Sequence, residues 1–137
     1  MTPLAVDKEK LLLMISRLEE SLKELEKLKG DVRANRYALE RLLQISVDES
    51  INIGNSIISE LGLRRADTFR QVFEILRDEH IISEKVSEGL IWFVGLRNRL
   101  VHQYWKVEED EIRETLGKLQ IFRDFVKEVV KSLQIIR

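Results

Sequence analysis

Cysteine is absent from this 137-residue chain. That absence removes a disulfide framework, a thiolate metal site and a thiol nucleophile together. Histidine is scarce: only His80 and His102 occur, too few for a histidine-built zinc site. His80 lies in a charged connection and is assigned no role. The single proline is Pro3, so nothing beyond it locks φ or removes a backbone donor. Long apolar runs are missing as well. The uncharged stretch Gly89 to Leu96 falls far short of the roughly 20 residues that cross a bilayer. Asp7, Lys8, Glu9 and Lys10 charge the first turn, which does not fit an amino-terminal secretion signal. No membrane association is expected, and the cytoplasm is the expected compartment. An excess of either charge is also lacking: 23 basic side chains face 24 acidic ones, for a net charge of −1. A protein that gripped a polyanion over its whole surface would be basic, so any nucleic-acid contact must be local.

What is present is helical periodicity. Hydrophobic residues make up 44% and charged residues 34% of the chain, which suits a soluble, helix-rich protein. Residues 1–137 read as one domain with a loose end over 1–6. Asp7 suits the N-cap of a first helix, with Leu11, Ile15, Leu18, Leu22 and Leu25 on its apolar stripe and Gly30 as its stop. A long second helix is expected from about Asp31 to Leu61, buried along Leu39, Leu43, Val47, Ile51, Gly54, Ile58 and Leu61. Gly54 is a weak helix former, so something should need the close approach it allows. Asp48, Asn52, Asn55 and Ser59 form a polar stripe on the same helix. Asp67 can cap a short third helix whose Phe69, Val72, Phe73 and Leu76 face inward. Ser83 can cap a fourth. A fifth should start between Val107 and Glu111 and run on as one stripe through Ile112, Leu116, Leu119, Phe122, Val126, Val129, Leu133 and Ile136. No segment alternates with period two. The fold class is therefore all-α: an up-and-down antiparallel bundle of four long helices and one short one.

One residue breaks the pattern. Val86, Leu90, Phe93, Arg97, Leu100 and Tyr104 follow at spacings of four and three, which is one face of the fourth helix. Only Arg97 is charged on it. A guanidinium on an inward stripe is unfavourable unless something pairs with it, either a carboxylate of the second helix, Asp48 or Glu49, or a ligand. Asp48 and Asn52 could line a pocket beneath Arg97; alternatively their stripe is an exposed face. Asn98 precedes His102 by four residues, so those two side chains can touch. On a regular helix Arg97 and Tyr104 share a face and His102 points away. If the helix opens after Arg97, all three can converge.

Gly95-Leu96-Arg97-Asn98-Arg99-Leu100-Val101-His102-Gln103-Tyr104-Trp105 resembles the signature of HEPN domains: an arginine, a short spacer, a histidine, one residue and a tyrosine. It is most similar to the HepT-like toxin branch, where Arg-Asn, Leu-Val-His and Tyr-Trp follow in this order. The stretch from Ala38-Leu39-Glu40-Arg41 to Asn52-Ile53-Gly54-Asn55 resembles that family's second helix, although the family often has an acid at the position of Asn52.

The resemblance implies the toxin of a two-gene pair: a metal-independent endoribonuclease with no cofactor. Arg97 and His102 would be catalytic and Asn98 would support them. The cleft would lie between the protomers of a homodimer, and RNA would be the substrate. A cognate MNT-type nucleotidyltransferase antitoxin would neutralise the chain by transferring AMP to Tyr104. The alternative reading of Tyr104 is a core aromatic on the stripe of the fourth helix. Arg99 and Lys106 are candidate phosphate contacts at the rim. The chemistry is consistent with these residue types. Histidine, with an unperturbed pKa of about 6.5, can act as general base or acid near neutral pH, and arginine can fork onto a phosphate. Two further readings compete: a non-catalytic nucleotide- or RNA-binding partner of a nucleotidyltransferase, and a structural dimerisation bundle.

Overall fold

The computed structural model describes residues 5–137, so most of the expected loose end, with Pro3, lies outside the described residues. Among the described residues there are six α-helices and no strand: α1 (Lys8–Leu28), α2 (Arg36–Glu60), α3 (Phe69–Asp78), α4 (Glu84–His102), α5 (Glu109–Leu116) and α6 (Gln120–Ser132). A single 3₁₀ turn, Tyr104–Lys106, follows α4. The expected all-helical bundle is found. None of its helices is long and apolar enough to cross a membrane.

The helix starts follow capping chemistry. Asp7 accepts from the Lys10 amide and Ser83 from the Val86 amide, as their sequence positions suggest. Asp67 does not cap α3. Its neighbour Thr68 does, accepting from the Gln71 amide, while the Asp67 amide donates to the Gln71 side chain at 2.7 Å. Nor does α2 begin at Asp31. The Asp31 carboxylate takes the Ala34 amide at 3.1 Å, and the Asn35 side chain donates to the carbonyls of Leu28 and Asp31. A short polar side chain that competes for backbone groups delays the helix, and Arg36 is its first residue. Three helices end in the same way. Gly62, His80 and Gln134 have positive φ, and the amide after each reaches back to the carbonyls of Ile58, Leu76 and Val130 respectively.

Helix α2 is the axis of the bundle, touching α1, α3, α4 and α5, while α6 packs on α4. Buried side chains form one cluster, with Phe93 against Phe122 at 4.5 Å and Phe73 edge-on to Phe125 at 5.9 Å. The buried hydroxyls of Ser46, Ser50 and Thr115 bond to carbonyls one turn back, and Ser87 bonds to the Phe73 carbonyl. No buried side-chain polar atom among the described residues lacks a partner.

Two sequence expectations fail towards the carboxyl end. The long fifth helix is two helices. Gly117 and Lys118 form a tight turn with amides bonded to the carbonyls of Glu114 and Thr115. Leu116, Leu119 and Phe122 stay buried across it, so the apolar rhythm does not reveal the break. Ile136 is exposed, because the positive φ of Gln134 turns Ile135 inward instead. Helix α5 is held partly by ion pairs. Arg113 meets Glu109 at 2.9 Å, and Arg33 meets it at 3.4 Å. Hydrogen bonding from Arg113, and then from Arg33, holds the Glu109 carboxyl below its usual range.

The close approach anticipated at Gly54 is real: a Cβ there would lie 2.4 Å from Val72 Cγ1 of α3. A valine in a helix has little χ1 freedom with which to yield. Gly54→Ala should therefore lower stability by about 1 kcal/mol, the gain in helix propensity offsetting part of the overpacking. Gly95 has nothing within 4 Å of its would-be Cβ, so Gly95→Ala should leave the fold unchanged or more stable by up to about 1 kcal/mol. Urea titrations of both variants check the pair. The depressed Glu109 pKa stabilises the fold above the unfolded carboxyl value of about 4.3, and that contribution is lost as pH falls through the folded value. The melting-temperature gap between the parent and Glu109→Gln should be open at neutral pH and close in acid.

Candidate active cleft

The site is built where α2, α3 and α4 meet. Arg97 occupies the inward stripe of α4 between buried Phe93 and Leu100. Its side chain is only 17% exposed, so pairing is required. Asp48 of α2 supplies it, accepting from Arg97 Nε at 2.8 Å. Of the two carboxylates considered from the sequence, Asp48 is thus the partner. It takes one edge of the guanidinium only. Asn98 Oδ1 accepts from Nη1 at 3.3 Å, and the guanidinium carbon lies 5.0 Å from the centre of the Phe69 ring. No hydrogen bond from Nη2 to another described residue is present. The fork is oriented without being consumed.

Arg97, Asn98 and His102 line one open cleft of about 520 Å³. Its other walls are Asn55 of α2, Val94 of α4 and the start of α3 from Ala66 to Arg70, with Val72. Neither geometry envisaged from the sequence is quite what occurs. Helix α4 stays helical from Arg97 through His102, yet the three side chains share the cleft. The long arginine side chain leaves its stripe and bends towards Asn98 and Phe69.

Helix α4 stops at once after the histidine. Gln103, at φ −143° and ψ 42°, ends it, with its amide bonded to the Arg99 carbonyl at 2.7 Å. Tyr104 therefore leaves the Arg97 face. It is 58% exposed, sits edge-on to Trp105 at 5.6 Å and does not line the cleft. Its reading as a core aromatic is excluded. Val101 and Trp105 are exposed beside it, and Trp92 is exposed earlier on α4.

The remaining candidates separate. Arg99 points to α5 and is bonded to Glu111, and that hydrogen bond raises its pKa above the ordinary value. Lys106 is exposed and forms no ion pair with a described residue. Asn52 is exposed and outside the cleft, whereas Asn55, one turn later on the same polar stripe, lines it. Phe69 was expected in the core. Val72, Phe73 and Leu76 of its stripe are buried, but Phe69, as the first residue of α3, projects past the bundle into the cleft and is 42% exposed. Its position at the helix start was the only sequence sign of this. No group of three His, Asp or Glu among the described residues is placed to hold a metal ion.

Residues 11–129 match the family described as ribonuclease HepT-like. A putative RNase of Archaeoglobus fulgidus is 31% identical over 96 residues, which is 67% of this chain and 72% of that protein. The tRNA nuclease HepT of Aphanizomenon flos-aquae is 27% identical over 121 residues, covering 85% and 82% of the two chains. Among solved structures, a tri-AMPylated HEPN toxin of Shewanella oneidensis in complex with an MNT antitoxin superposes with a TM-score of 0.82. It is 23% identical, over 88% of this chain and 96% of that one.

The Asp48 pair yields a direct expectation. Asp48→Ala should cost about 1–2 kcal/mol, between an exposed pair and a fully buried one. Asp48→Asn, which keeps an acceptor for Nε, should cost less. Thermal and urea denaturation of both variants measure the difference.

Proposed function

The chain belongs to the HepT-like ribonuclease family, and from that premise we propose that it is the toxin of a HEPN/MNT toxin–antitoxin pair. In this reading it is a metal-independent endoribonuclease acting through Arg97 and His102. The observation that carries the proposal is the shared cleft: a guanidinium with unused donors, an amide and an exposed imidazole open onto one space.

Cleavage without a metal uses the ribose 2′-hydroxyl as nucleophile. Its oxygen bonds to phosphorus as the bond from phosphorus to the 5′-oxygen breaks. One base takes the 2′ proton and one acid returns a proton to the leaving oxygen. A single chain offers one cleft histidine. A homodimer offers two, so His102 of one protomer would act as base and the partner's His102 as acid. Arg97 would direct its remaining donors at the phosphate oxygens as charge builds there. Asn98, already bonded to Arg97, would hold the fork and orient the histidine one turn on. The exposed Gly95, Asn98, Val101 and His102 on the outer side of α4 supply a surface for the second copy, and nothing in this chain approaches Gly95.

Tyr104 would be the target of the nucleotidyltransferase. Its exposure makes the hydroxyl accessible, and an attached AMP would bring phosphate charge and bulk next to the histidine two residues away. Lys106 would remain a candidate rim contact for RNA. Arg99 would need to leave Glu111 to serve as one.

His102→Ala and Arg97→Ala should each lower RNA cleavage by about 100-fold or more. His102→Ala should melt like the parent, because the imidazole is exposed. Chelation by EDTA should leave the rate unchanged. Incubation with the cognate nucleotidyltransferase and ATP should add AMP mass to the parent and none to Tyr104→Phe. Absence of cleavage by the parent protein, alongside a stable complex with that enzyme, would replace the nuclease with a non-catalytic partner. A monomer that cleaves at full rate would refute the two-histidine site.

A further inference from the structure

The cleft holds one large apolar side chain that the reaction does not use. Phe69 is the first residue of a firmly capped helix: Thr68 accepts the Gln71 amide and Gln71 holds the Asp67 amide. Those caps fix the backbone that carries the ring. Arg97 lies over it, yet the residue is 42% exposed and lines the cleft. Apolar Ala66, Val72 and Val94 line the same cleft, and Asn55 and Asn98 add amides to it.

The charge pattern gives the ring a purpose. Affinity for RNA ordinarily draws heavily on phosphate neutralisation. Here the net charge is −1, and the two arginines that line the cleft already face carboxylates: Arg97 with Asp48 and Arg70 with Glu74. A contact that does not depend on charge has to contribute. Base–aromatic stacking is such a contact, and it requires an unpaired base.

Resting on the ribonuclease reading, we infer that Phe69 is a base-stacking platform that receives an unpaired nucleobase beside the phosphate held by Arg97, and so restricts the enzyme to single-stranded RNA. One face of the ring lies under the guanidinium, 5.0 Å from its carbon, so the base would stack on the other face while its phosphate reaches the remaining donors of Arg97. The neighbouring amides would then meet the edge of the base.

Two measurements test this. First, cleavage of a single-stranded RNA is compared with that of the same RNA lacking the base at the cleaved position. Phe69→Leu should lower kcat/KM on the intact strand by about ten-fold or more, the range one stacked base supplies. It should have little effect on the abasic strand, and Phe69→Trp should restore the loss. If Phe69 serves only to hold Arg97, both substrates slow by the same factor, and the platform is overturned. Second, fluorescence anisotropy in the His102→Ala background compares a short oligoadenylate with a ribose-phosphate chain of equal length without bases. Tighter binding of the oligoadenylate that disappears with Phe69→Leu supports the platform, and equal affinities overturn it. This binding measurement reads Phe69 even if the parent protein cleaves nothing, which would remove the ribonuclease reading alone.

Discussion

A guanidinium that is mostly shut off from water must be paired, and the cleft is arranged around how Arg97 meets that requirement. Asp48 takes the Nε edge from α2, Asn98 takes Nη1 from the next position on α4, and Phe69 lies beneath the plane at the start of α3. Three helices are thereby referred to one side chain. A bidentate Arg–Asp pair would have closed the site to a phosphate. An unpaired arginine would have been a large penalty in a bundle of this size. The single-edge pairing avoids both.

The same balance runs through the rest of the surface. Cations and carboxylates are nearly equal in number, and many are joined between elements: Arg123 to Glu26, Arg33 to Glu109, and Arg99 to Glu111. Such pairs contribute little individually to stability. They do hold the surface potential close to neutral. A nuclease on this plan does not collect nucleic acid by charge alone.

Much of the scaffold was legible because it rests on local rules. The stripes of α1, α2 and α4, the caps at Asp7 and Ser83, and the close contact at Gly54 follow from spacing and from what each side chain can bond to. That Arg97 needs a partner was readable for the same reason, as a charge on an apolar face demands an opposite charge within reach, but only the structure chooses Asp48 over Glu49 or a ligand. What escaped was phase-preserving or end-specific. Leu116, Leu119 and Phe122 keep the helical beat across a tight turn, so α5 and α6 read as one. Asp31 and Asn35 bond their own backbone and shift the start of α2. Phe69 sits on the correct stripe, but a stripe predicts burial only where an apolar neighbour lies opposite, and at the first turn of α3 the neighbour is the Arg97 guanidinium. The place of Tyr104 on the inward stripe failed likewise, since the helix that would have carried it inward ends two residues earlier.

The abrupt end of α4 has a mechanical consequence. Arg97 rides on a rod clamped into the core, whereas Tyr104 lies on a leash of a few residues between Gln103 and Val107. Its near end is the last turn of α4. Its far end is pinned, with the Val107 side chain buried and its carbonyl bonded to Arg36. Only two turn hydrogen bonds, from the Lys106 and Val107 amides, shape the leash in between. Tyr104 meets the exposed Trp105 edge-on and adds nothing to the buried core, so its hydroxyl is carried outside the bundle. A group attached there would stay within a few residues of His102, held by its covalent bond rather than by its own affinity.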